Sequence, residues 1–142
     1  MNTINDISPI VDRLNIPASG VQIIEEIRNG EPTRAVRSGR NNTCIRYASR
    51  KMGCTIQAES RHSEYAFCLL AEYDFEVLEY YDQPYSMKLR WRSSSGKMTG
   101  SRHTPDFFGI WTDAIQFVEV KPLSEILRIA DERPGFFIQD KN

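Results

Sequence analysis

Apolar residues recur at Val21, Ile24 and Ile27, the rhythm of one helix face, and predict a short helix that Asn29-Gly30 ends by turn chemistry. A second helix is predicted over 60–73, where Phe67, Leu70 and Ala71 share a core-facing spacing and Ser60 or Ser63 can cap the start. The period then changes to two. Residues 76–81 (EVLEYY) and 85–92 (YSMKLRWR) alternate as strands do, with Gln83-Pro84 shaping the turn between them. Residues 93–100 (SSSGKMTG) have the composition of a hairpin loop. Two further strands, 104–110 (TPDFFGI) and 114–121 (AIQFVEVK), are joined by a turn at 111–113, and a helix over 124–132 follows Pro122. A strand starting at Phe136, a few residues before Asn142, would finish a sheet abruptly, so the chain is expected to be part of a longer protein. Helices alternating with strands make the fold class α/β.

The length, 142 residues, suits one core, divided here into an N-terminal helix and basic arm (1–52) and a core unit (53–142). With 40% hydrophobic and 26% charged residues the composition is that of a folded domain. The net charge of -1 creates no global field for a polyanion, so the distribution of charge matters more than its sum. From 28 to 51 seven cations (Arg28, Arg34, Arg37, Arg40, Arg46, Arg50, Lys51) face one acid, Glu31. Few large apolar residues interrupt this stretch, which reads as an extended arm and the leading candidate for phosphate contact, with Arg90, Arg92 and Lys97 extending the surface. Cys44, Cys54 and Cys68 match no zinc-finger spacing and are expected to be reduced thiols of a cytoplasmic protein. No apolar run has the length of a membrane span, residues 1–10 lack a signal-peptide layout, and no membrane partner is expected.

The chemistry concentrates in two strands. Asp106 lies in the apolar run TPDFF and Glu119 in FVEVK, settings where an unpaired carboxylate is costly. Glu119 and Lys121, two apart, would share one strand face while Val118 and Val120 point to the core. Two carboxylates and an ammonium form a compact site for metal and water, in which hard oxygen ligands hold Mg²⁺ and the lysine positions the water or meets the phosphate. A chance motif predicts instead that the three residues lie far apart in space.

The ordered series Ser49-Arg50-Lys51-Met52-Gly53, Glu59-Ser60-Arg61-His62-Ser63-Glu64, Tyr81-Asp82-Gln83-Pro84, His103-Thr104-Pro105-Asp106 and Glu119-Val120-Lys121 resembles the N-terminal domain of TnsA. TnsA is the endonuclease subunit of heteromeric transposases, within the PD-(D/E)xK nuclease superfamily. The resemblance spans roughly residues 39–122. It implies a restriction-endonuclease-like fold, a mixed sheet of about four or five strands flanked by helices. It implies Mg²⁺, with Mn²⁺ as a substitute and a pair of ions bound, held by Glu64, Asp106, Glu119 and the Val120 carbonyl, while Lys121 orients the attacking water. Some TnsA proteins carry Gln at the position of Glu119, so this chain is nearer the general superfamily pattern there. The implied partners are double-stranded DNA at transposon ends, a DDE transposase subunit that cuts the other strand and an AAA+ regulator, in a bacterial cytoplasm. The family's C-terminal helical domain lies beyond the matched stretch.

Several residues compete for roles. Glu59, five before Glu64, is expected to precede or cap the helix, which leaves Glu64 as the favoured acid. Arg61 and His103 join Arg37, Arg40, Arg46, Arg50 and Lys51 as DNA contacts, with His103 equally able to be a surface histidine. A restriction or repair nuclease of the same superfamily, and a non-catalytic DNA-binding or assembly subunit with the retained fold, are the rival functions.

Overall fold

The computed structural model describes residues 5–33 and 43–134. Among them are α1 (Ser8–Arg13), α2 (Ala18–Asn29), β1 (Ile45–Ser49), β2 (Cys54–Ala58), α3 (Glu64–Tyr73), β3 (Val77–Asp82), β4 (Met87–Arg92), β5 (Met98–His103), β6 (Phe107–Trp111), β7 (Ile115–Val118) and α4 (Leu123–Glu132). The class is α/β. The central sheet has the order β3-β6-β7, while β1-β2 and β4-β5 are separate two-stranded sheets. All the pairings among the described residues are antiparallel, so the sheet is smaller and less mixed than expected. The reason is local: short turns join β1 to β2 and β4 to β5, and each hairpin closes on itself. No described helix is long and apolar enough to cross a membrane.

In the central sheet β3 and β6 are buried on both faces. Phe107 points into a cluster with Met52, Ile56, Ala58, Cys68, Ala71, Val77 and Tyr80, beneath α3 and the β1-β2 hairpin. Its neighbours Phe108 and Ile110 point the other way, against Ile7, Ile10, Ile24 and Ile27 of the N-terminal helical region. Strict alternation would separate Val77 from Tyr80. A register shift between Val77 and Glu79 restores them to one face. The predicted boundary between 52 and 53 therefore falls in the turn that joins two paired strands, and residues 45–49 are strand rather than arm. The stretch read as a loop at 93–100 contributes Met98 onward to β5, because pairing with β4 overrides weak strand propensity. Gly96, at φ +80, occupies the left-handed position of the turn that remains.

One knot of hydrogen bonds fixes the β1-β2 hairpin to α3. Glu72 accepts from Ser49 Oγ (2.6 Å), Tyr80 Oη (2.8 Å) and the backbone N–H groups of Arg50 (2.8 Å) and Lys51 (3.0 Å). Lys51 Nζ donates to the carbonyls of Ala71 (2.6 Å) and Asp74 (2.6 Å) at the C-terminal end of α3 and of Val77 (2.7 Å) at the start of β3, using all three ammonium donors. That geometry corrects the expectation of Lys51 as a DNA contact: its ammonium is committed inside the chain. Burial pushes the Glu72 carboxyl up, but the four hydrogen bonds outweigh it and hold the group below its usual 4.5. A depressed carboxyl stabilises fully above its unfolded pKa and loses that contribution as pH falls through the folded one. Glu72→Ala is expected to lower stability by about 3 kcal/mol at neutral pH, since it orphans several donors at once. Urea unfolding of the variant should also show a weaker loss of stability below about pH 4.5 than the parent does.

Candidate active site

Asp106 immediately precedes β6, and its place is set from two sides. Its carbonyl accepts the Gln83 N–H at 3.0 Å, and its Oδ2 accepts the Val120 N–H at 2.9 Å. Gln83 is 2% exposed with φ 44, its carbonyl is held by Thr33, and its Oε1 has no partner among the described residues. Within the sheet Phe107 pairs with Val118, so Glu119, Val120 and Lys121 lie just past the end of β7 rather than on the strand as expected. The ladder stops there for a simple reason. The Asp106 carboxylate takes the Val120 N–H, and Pro122 has none to offer.

Around that clasp the charged groups converge. Glu119 Oε2 lies 3.2 Å from His103 Nε2, and Glu119 Oε1 lies 3.7 Å from Lys121 Nζ. Lys121 Nζ is also 4.0 Å from Glu125 Oε1, in the first turn of α4. These pairs are about a third to two-fifths exposed, so each contributes little to stability, and their value lies in placing charge. Burial pushes the Asp106 carboxyl above its usual range; the Val120 N–H and Lys121 oppose this, while Glu119 and Glu59 add to it. The prediction of a chance motif, three residues far apart, is not met.

The acids of the α3 region divide in a way their spacing did not reveal. Glu64, the first residue of α3, is 8% exposed, and its Oε2 accepts the Glu59 N–H at 2.7 Å. A carboxylate there also meets the positive end of the helix dipole. Glu59 sits before the helix, as expected. Glu64 therefore braces the backbone of Glu59.

Of the other cations, Arg46, Arg50 and Arg61 are exposed and His103 is half-buried against Glu119, whereas Arg37 and Arg40 lie outside the described residues. Among the described residues no three His, Cys, Asp or Glu side chains form a ready metal cage. The donor set still suits a hard cation. Mg²⁺ is commonly held by one or two carboxylates with water and substrate phosphate completing its shell, and Asp106 and Glu119 are two such carboxylates. Among the described residues the three cysteines form no disulfide, and burial pushes the Cys68 thiol up to about 12. No protein-family model matches the chain, and no curated protein shows significant similarity to it.

Proposed function

We propose that this chain is a Mg²⁺-dependent DNA endonuclease of the PD-(D/E)xK type with a restriction-endonuclease-like core, acting as the TnsA-like subunit of a heteromeric transposase. The observation that carries the reading is the Asp106 Oδ2 to Val120 N–H bond, which locks one acid against the Glu119-Val120-Lys121 segment. Asp106 and Glu119 would hold the cation, with the Val120 carbonyl and a third acid, Glu59 or Glu64, contributing to its shell. When bound, Mg²⁺ (or Mn²⁺, as the pair of ions the resemblance implies) would lower the pKa of water and offset charge on the phosphate. Lys121, held beside Glu119, is placed to orient that water and to donate toward the phosphate. His103 restrains the other Glu119 oxygen and so fixes the carboxylate's rotamer. A DDE transposase subunit and an AAA+ regulator are the partners this reading implies.

The test is nicking of supercoiled plasmid by the chain, alone and with a partner transposase, in millimolar Mg²⁺ or Mn²⁺, alongside calorimetry of metal binding with and without duplex. Strand breaks that require the metal support the reading. A well-folded chain that neither binds metal on DNA nor cuts with its partner points to a retained fold without chemistry.

The two acids give a sharper comparison. Glu59→Gln is expected to reduce cleavage about tenfold with unchanged melting, as one cation or water contact is lost. Glu64→Gln should instead lower stability by about 1 kcal/mol, through the weakened helix-terminal charge and the weaker bond to the Glu59 N–H. Abolished cleavage by Glu64→Gln at unchanged melting would move the ligand role to Glu64.

A further inference from the structure

The β4-β5 ribbon carries charge in a pattern its own stability does not favour. Between Met87 and His103 the sequence holds five cations, Lys88, Arg90, Arg92, Lys97 and Arg102, and no acid, in a chain of net charge -1. The register places Lys88 opposite Arg102, Arg90 opposite Gly100 and Arg92 opposite Met98, so four cations share one face. Like charges directly opposed across a strand pair are destabilising, and no acid within the ribbon neutralises them. Residues 88–92 and 98–102 are exposed along both strands. Gly100 lets the two strands close up beside Arg90, since a Cβ there would lie 2.5 Å from the Leu89 carbonyl oxygen and 3.4 Å from Arg90 Cγ. The ribbon ends at His103, whose Nε2 meets Glu119, so its base stands at the proposed site of cleavage.

We infer that the cationic face of this ribbon binds duplex DNA beside the scissile phosphate, seated along the major groove. The inference rests on the nuclease reading for the identity of the polyanion. Dimensions agree: the two strands are about 4.8 Å apart and six residues run about 20 Å, and a groove about 12 Å wide and 8.5 Å deep admits such a ribbon. Contacts of this kind neutralise phosphates and hold register on the duplex, with sequence readout left to other groups.

Fluorescence anisotropy of the whole chain with a labelled duplex, in EDTA across a salt series, separates this from catalysis. The triple variant Arg90→Ser, Arg92→Ser, Arg102→Ser is expected to lose at least about tenfold in affinity near 0.1 M salt and to flatten the slope of log K against log salt by about 3. The variant with Lys at the same three positions should keep the slope, and Arg128→Ser in α4 should match the parent in binding. The ribbon assignment is overturned by unchanged binding in the Ser variant, by a Lys variant as weak as it, by a parent that binds no duplex at low salt, or by preference for single-stranded RNA. Failure of the nuclease reading shows elsewhere, as metal-independent or absent cleavage by a chain that still binds duplex through the ribbon.

Discussion

Asp106→Asn is expected to abolish Mg²⁺-dependent DNA cleavage, by on the order of 10³-fold, because losing a metal-bound carboxylate removes several kcal/mol of transition-state stabilisation at about 1.4 kcal/mol per factor of ten. The variant should fold. An amide oxygen can still accept the Val120 N–H that Asp106 Oδ2 now takes at 2.9 Å, so the junction of β6 and β7 keeps its clasp. Its melting temperature should be no lower than the parent's, since a neutral amide avoids the cost of a half-buried carboxylate beside Glu119. Calorimetry on the same protein should show weakened Mg²⁺ binding. Loss of activity with intact melting assigns Asp106 to the chemistry. Full activity in a folded Asp106→Asn chain would remove the proposed site altogether.

A comparably large effect on stability is expected from Glu79→Ala, about 3–5 kcal/mol, because it strands a buried guanidinium. Arg28 donates to Glu79 through Nε at 2.9 Å and Nη2 at 3.0 Å, and the two side chains are only 6% and 5% exposed. Glu79 accepts further bonds from Tyr81 Oη at 2.7 Å and Asn5 Nδ2 at 3.2 Å, while Arg28 also reaches Glu25 and the Asn5 carbonyl. This network ties α2 to β3 on the face opposite α3. Burial pushes the Glu79 carboxyl up, yet Arg28 and Tyr81 outweigh it and hold it below its usual 4.5. Its contribution is thus complete above the unfolded pKa and fades in acid as pH falls through the folded value, alongside that of Glu72. Urea unfolding should show the loss in Glu79→Ala and recovery of most of it in Arg28→Met with Glu79→Leu, which replaces the pair by apolar packing. A loss below about 1 kcal/mol in the single variant would mean the pair behaves as a solvated surface contact.

Local repeats along the chain were enough for α2 and α3, for the alternation that sends Phe107 and Phe108 to opposite faces, and for the proximity of Glu119 to Lys121. Each is a property of backbone period, three to four residues for a helix and two for a strand, which a sequence displays directly. Charge was the weaker guide. Arg28 and Lys51 belong to the same basic stretch as Arg46 and Arg50, yet the first is buried against Glu79 and the second caps α3, while the other two face solvent. Their partners lie 51 and 20 residues away in the chain, so no local pattern separates structural from exposed cations. The same holds for Glu64, which the bend before α3 turns onto the Glu59 N–H, and for the end of β7, decided by a carboxylate just before another strand. The sequence by itself therefore determined α2, α3, α4, the strands β3, β4, β6 and β7, and the residue types available for chemistry. The tertiary structure decided which charges are used up in holding the fold, because burial and hydrogen-bond partners are set by contacts between segments distant in sequence.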